Sequence, residues 1–248
     1  MKATGSGFAA IAWRLALLIT MVFCCTAQPA PAGEDAAVTL LRDLQQHLGS
    51  LTDFRTSFTQ RLHTPHSVNE REESGVLYVM MPGRMRWNYL DPERKEFICD
   101  GRKIWFYEPE ENAVTIYSAA IIGESGTPLQ LLFGQGDLLR DFLVTADDTP
   151  VQAESPEGVM ALVRPREEDA AFVQAHLEMV AKPVPRLVRL IVVDPLRNST
   201  EYRFSDFREN TGLSVDYFSF EPPPGTEVWE EQEKTPETPA SGAPANSN

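Results

Sequence analysis

An alternation of period two between Gly75 and Tyr107 commits this chain to a β-sheet with one apolar face. The run GVLYVMMPGRMRWNYLDPERKEFICDGRKIWFY predicts strands over 76–81, 85–89 and 97–107. Pro82-Gly83 and Asp91-Pro92 separate them, and a tight turn at Asp100-Gly101 divides the last run. Successive side chains on a strand point to opposite faces. Leu77, Val79, Met81, Met85, Trp87 and Tyr89 therefore share one face if Pro82-Gly83 keeps the phase, while Tyr78, Met80, Arg84, Arg86 and Asn88 share the other. Trp105, Phe106 and Tyr107 then place aromatics on both faces of the next strand, more than a single core layer requires.

The chain ahead of this stretch begins with an export signal. Lys2 and Arg14 precede an apolar run at 15–23, and Ala30-Pro31-Ala32 supplies small residues for cleavage, so residues 1–32 read as a cleavable signal peptide and 33–229 as one working domain. The apolar run is too short to span a bilayer, and nothing later approaches about 18 consecutive apolar residues. Loss of the leader makes a formal charge of −14 more negative still, and an acidic protein repels phosphate, so nucleic acid is not an expected partner. Arg84, Arg86, Arg94, Lys95, Arg102 and Lys103 form a local basic island, read as a solvated strand face. Of three cysteines only Cys99 lies beyond the leader, which rules out an intramolecular disulfide in the working domain. Lipidation at Cys24 or Cys25 is disfavoured, because Phe23 or Cys24 stands where a lipoprotein signal needs a small residue.

Leucines at 40, 41, 44 and 48, with Ala37, predict an amphipathic helix over 36–48 stopped by Gly49. Leu51, Phe54 and Phe58 suggest a second short helical turn leading into a first strand near Thr59. Thr127 as N-cap, Pro128 at the first helical position and Gly134 past the end bound another helix of about two turns. Its Leu129, Leu132 and Phe133 must dock on the apolar sheet face or cover an opening in it. Further strands are predicted at 113–118, 143–145, 159–163, 172–180, 187–193, 201–207 and 217–220. Such a meander, mainly β with a few helices, makes an incomplete, strongly curved antiparallel β-barrel of about ten or eleven strands with helices covering its concave apolar face. The segment 230–248 lacks apolar periodicity and reads as a disordered acidic, proline-rich tail.

Catalytic chemistry leaves no trace. There is no G-x-S-x-G elbow, phosphate loop or dinucleotide fingerprint, and the four histidines, His47, His63, His66 and His176, fall in no metal or nucleophile pattern. The pairs Glu72-Glu73 and Glu167-Glu168 read as solvated loop acids, and Asp91, Asp100, Asp194 and Asp206 as turn residues. Neither enzyme activity nor a cofactor nor a metal is expected. The residues themselves reach as far as an exported protein with an apolar face that two helices can cover, suited to lipid or, more blandly, an ordinary core.

Five blocks carry a resemblance: SFTQRL at 57–62, ESGVLYVMMPGRMRWNY at 73–89, DGRKIWFYEP at 100–109, TPLQLLFG at 127–134 and FSFEPPPGTEV at 218–228. In this order the chain resembles the outer-membrane lipoprotein carrier family, LolA. The resemblance implies a periplasmic chaperone, monomeric and without a cofactor. It would take acylated lipoproteins from an inner-membrane ABC transporter releasing complex and pass them to an outer-membrane lipoprotein acceptor. Acyl-chain contacts would then fall to Leu77, Val79, Met81, Met85, Trp87, Tyr89 and Trp105, with Leu129, Leu132 and Phe133 on the lid helix. A lipid-anchored acceptor or a periplasmic lipid- or lipoprotein-sensing module of the same fold are the alternatives. The chain departs from the family at Met81, where an arginine often holds the lid.

Overall fold

The structure is a computed structural model that describes residues 32–65, 71–119, 137–167 and 170–231. Helix α1 (Ala32–Ser50) carries the expected stripe, with Ala37, Leu40, Leu41, Leu44 and Leu48 all buried. The chain then enters β1 (Asp53–His63) directly. Phe54 and Phe58, whose spacing suggests a helical turn, are strand residues instead: positions four apart share a face on a strand as well as on a helix, and Thr56 lies buried between them. The strands that follow are β2 (Arg71–Met80), β3 (Arg84–Asp91), β4 (Lys95–Cys99), β5 (Lys103–Glu108) and β6 (Ala113–Ser118). After α2 (Leu138–Asp141) come β7 (Phe142–Ala146), β8 (Val159–Pro165), β9 (Gln174–Val180), β10 (Arg186–Val193) and β11 (Ser199–Glu209). Residues 217–220, expected as a strand, fall instead on and just after a 3-10 turn (Val215–Phe218), and the last strand is β12 (Glu227–Glu230). Glu230, assigned from sequence to the tail, ends that strand.

The twelve strands among the described residues join one open sheet in the order β12-β6-β5-β4-β3-β2-β1-β11-β10-β9-β8-β7. Every pairing is antiparallel except that of β12 with β6. Register shifts interrupt β1/β11 between Arg55 and Ser57, β2/β3 between Ser74 and Gly75, and β9/β10 between Leu187 and Arg189. Each extra residue bends its strand and increases the local twist. Asp206, read from sequence as a turn residue, lies within β11 at φ 54, opposite the first of these irregularities. Asp100 and Asp194 do cap turns, accepting from Arg102 N and Lys103 N and from Asn198 N respectively.

Helix α1 packs mainly over β7, β8 and β9 on the inner face. The largest core cluster joins that helix to inward side chains from β1 to β5 and from β7 to β11. A second cluster, Ile98, Trp105 and Val114, lies on the outer face beneath Phe220. The sheet margins are β12 and β7, so the chain between Ala119 and Asp137 links the β6 side to the opposite edge. The helix expected at 127–134, with Leu129, Leu132 and Phe133, lies outside the described residues, as do 1–31 and 232–248.

Candidate functional site: the apolar inner face

Cross-strand register brings together six of the seven expected contact residues. Leu77 faces Trp87 and Val79 faces Met85, so Pro82-Gly83 does preserve the phase. Leu77, Val79, Met85 and Trp87 are buried, whereas Met81 and Tyr89 are partly exposed against the same cluster. Trp105 departs from them. Because Cys99 pairs with Ile104 and Ile98 with Trp105 across the Asp100-Gly101 turn, Trp105 falls on the outer face against Phe220, and Ile104 and Phe106 take the inner one.

Five rings organise the centre of the inner face. Phe58 meets Trp87 edge-on at 4.8 Å and Tyr89 at 5.0 Å; Trp87 meets Tyr202 at 5.6 Å, and Tyr202 stacks on Phe204 at 6.3 Å. Gly75, opposite both Phe58 and Tyr89, makes room for this arrangement. A Cβ on Gly75 would stand 1.9 Å from the Asn88 carbonyl oxygen and 3.0 Å from the Phe58 ring. Edge-to-face rings of this kind add about 0.5–1.5 kcal/mol per pair beyond area burial.

The apolar face ends in a polar network at the far end of β1 and β2. Tyr89 donates its hydroxyl to Gln60 Oε1 at 2.8 Å, and Lys95 Nζ lies 2.8 Å from both Glu73 carboxylate oxygens and 4.5 Å above the Tyr89 ring. Arg71 reaches Glu73 at 3.0 Å. Burial is the main cause that raises Tyr202 to about 12, with the Glu73 charge adding to it, and it pushes Tyr89 higher still. Both phenols therefore stay neutral and available as hydrogen-bonding groups. Glu73, read from sequence as a solvated loop acid, is a buried strand residue, while its neighbour Glu72 points out to Arg61. The basic island divides in the same way: Lys95 faces inward to Glu73, and Arg86 faces outward to Glu96 and the Tyr217 carbonyl.

At the opposite end, where α1 meets β1, a crevice of about 30 Å³ is floored by Leu44, Leu51, Phe54, Leu77 and Phe204 and rimmed by His47, Arg186 and Glu209. This is room for about one water molecule, whereas small-molecule pockets run from about 300 Å³ upward. An apolar guest in this crevice therefore requires its lining side chains to part. The face is incompletely packed at Met81, Tyr89, Phe97, Phe106 and Tyr117, each only partly buried. Phe97 follows from its pairing with Trp87, and Phe106 and Tyr117 from carrying the alternation through the Asp100-Gly101 turn, a step that needs the hairpin register as well as the strand period.

One pair of residues has the outline of acid–base machinery. His176 Nδ1 lies 2.6 Å from Asp147 Oδ2, and Gln174 Nε2 lies 3.1 Å from His176 Nε2. With its proton on Nδ1 the imidazole satisfies both partners, and at 4% exposure it presents no free nitrogen to a substrate. Burial would raise Asp147, but hydrogen bonds from Thr149 and His176 outweigh this and hold the carboxylate below its usual value. The trio fastens the 147–158 segment to the outer face of β9, as does Glu178, which accepts from Glu154 N and Ser155 N. Among the described residues no group of three metal-ligating side chains occurs, and no helix is long and apolar enough to cross a membrane.

Fold and face together define an open, curved β-sheet protein whose inner side is largely apolar and ends in a polar network. Residues 49–221 match the family model described as outer membrane lipoprotein carrier protein LolA, and the chain belongs to that family. The outer-membrane lipoprotein carrier protein of Alkalilimnicola ehrlichii is 28% identical over 88% of this chain and 95% of its own length. That of Dechloromonas aromatica is 31% identical over 77% of this chain and 86% of its own length. Among solved structures, a LolA superfamily protein from Nitrosomonas europaea matches 74% of this chain and 97% of its own at 11% identity and a TM-score of 0.43.

Proposed function

We propose that this chain is a periplasmic carrier of lipoproteins, which shelters their acyl chains on the inner face of the sheet. In this reading it receives them from an inner-membrane ABC transporter releasing complex and delivers them to an outer-membrane acceptor, acting as an exported monomer without catalysis. The relatives named as outer-membrane lipoprotein carriers support the cargo class. The observation that carries the reading is the band of partly exposed apolar side chains, Met81, Tyr89, Phe97, Phe106 and Tyr117, on a face that is otherwise packed.

Such a band suits a guest that must be held and then released. A bound acyl chain gains about 0.8 kcal/mol for every methylene taken from water, so an unshielded lipoprotein would aggregate or return to the nearest membrane. Aromatic edges and the flexible Met81 thioether adapt to chains of different length without a directional bond that would fix one guest. The clasp of Tyr89, Gln60, Glu73 and Lys95 supplies a polar limit to the groove.

Binding of a fluorescent triacylated lipopeptide tests the reading. The chain lacking residues 1–32 should bind it saturably. Phe106→Glu, at a partly exposed position, should weaken binding at least tenfold while the melting temperature moves by only a few degrees. A chain that fails to bind the lipopeptide, or a Phe106→Glu variant that binds as well as the parent, contradicts the assignment.

A further inference from the structure

The inner face does not stop where its core stops. Reading the register across the sheet, Leu77 faces Trp87, Trp87 faces Phe97, Phe97 faces Phe106, Phe106 faces Thr115, and Thr115 faces Trp229 on the edge strand β12. Directly paired residues share a face, so these six make one continuous row from the middle of the sheet to its margin. Exposure rises along the row: Trp87 is 4% exposed and Trp229 60%. The neighbours of Trp229 confirm its direction, since Glu230 reaches Lys103 on the outer face at 3.5 Å and Val228 pairs with the outward Val114.

A single exposed apolar side chain on a protein surface is ordinary. Trp229 differs because it terminates a ramp that begins in the core, and because among the described residues its strand has no further neighbour. Tryptophan joins a large apolar area to one N–H donor and so favours the boundary between water and hydrocarbon. The margin is not built to receive another strand. Glu227 and Glu230 lie on β12 and Glu231 follows it, and charge along an edge opposes strand addition.

We infer that Trp229 is the entrance residue of the groove, the first protein contact of an acyl chain that loads across the β12 margin and then moves along Phe106 and Phe97 toward Trp87. The inference rests on the carrier reading above and adds to it a route and a residue. From Trp229 inward the ramp exchanges water contact for aromatic contact, with Thr115 the one polar step between Trp229 and Phe106.

The test combines cross-linking with kinetics in the chain expressed for export and purified, using a triacylated lipopeptide as probe. A photoreactive benzoylphenylalanine is placed in turn at position 229, at 106 within the groove and at 105 on the outer face. Cross-linking to the lipopeptide is expected at 106 and 229 and not at 105. Stopped-flow loading of Trp229→Glu should be about tenfold slower than that of the parent, and that of Trp229→Phe within about twofold of it, with melting temperatures unchanged. If 106 cross-links but 229 does not, or if Trp229→Glu loads at the parental rate, the entrance is overturned and the carrier reading stands. If the lipopeptide neither binds nor cross-links at 106, both fall together.

Discussion

Gly75 is the residue on which the aromatic centre depends. Two constraints meet there: the Asn88 carbonyl lies where a Cβ would stand, and the Phe58 ring fills the adjoining space. Gly75→Ala should force β2 and β3 apart and lower stability by about 3 kcal/mol, the upper range for overpacking, because backbone cannot rotate away as a side chain can. Urea denaturation measures this, and an unchanged midpoint would show that the strands have slack that the geometry does not contain.

Buried carboxylates set the acid limit of the fold. Asp53, only 2% exposed, accepts from Thr211 N, Thr211 Oγ1 and Gly212 N and so ties the start of β1 to the turn after β11. Burial opposes its ionisation, yet the bonds from Thr211, Gly212 and Thr52 together hold it below the ordinary 3.8, as those from Thr149 and His176 hold Asp147. A carboxylate depressed in the folded state contributes its full stability above its unfolded value and loses it as pH falls through the lower folded value. The melting temperature should therefore drop below about pH 4, and Asp53→Asn with Asp147→Asn should flatten that limb while lowering stability near neutrality. Equal acid slopes in parent and double variant would refute the assignment. On the alkaline side Tyr89 and Tyr202 resist ionisation when folded, so stability should also fall as pH rises past the unfolded tyrosine value near 10.

At the scale of elements, the alternation that defines β2 and β3 is local and survives in the structure, with Leu77, Val79, Met85 and Trp87 placed as their parity requires. Features that depend on distant partners could not be read in the same way. Glu73 is buried because Lys95 lies 22 positions away and across two strand pairings, a register that neither segment specifies alone. Trp105 changes face because the hairpin pairs Cys99 with Ile104. Tyr217, Phe218 and Phe220 look like a strand but form part of a strap over the outer face. Tyr217 is gripped by Arg86 and Asn88, Phe218 is fully buried and Phe220 packs on Tyr107 at 5.1 Å.

The strap makes its own prediction. Phe218→Ala removes a side chain with no exposed surface and should destabilise by about 3–5 kcal/mol, as for other buried aromatics. Ending the chain after Glu231 keeps β12 and the bond from Glu231 N to the Ile116 carbonyl, and should leave the melting temperature within a degree or two. Ending it after Gly212 should unfold the sheet. A stable, monomeric chain ended after Gly212 would show that the strap is an ornament on an already complete fold.

For the whole molecule, the question is which parts of one apolar face are core and which are groove. Parity cannot separate them, because burial depends on what packs across the sheet from elsewhere in the chain. Val79 and Met85, at 0% and 1% exposure, belong to closed core, and a charge there should unfold the protein; Phe97, Phe106 and Tyr117 keep surface and should tolerate one. Because the partly exposed inward side chains lie on β3 to β6, hydrogen exchange on the lipopeptide complex should show altered protection there and little change in β8 and β9.

Native mass spectrometry of the protein drawn from the periplasm of its own cell tests the central claim most directly. The account predicts a monomer carrying one lipoprotein, whose release on gentle activation leaves the bare chain and an acylated protein. Repeated preparations in which the chain carries no lipoprotein, although lipoproteins are present in the same cells, would contradict it.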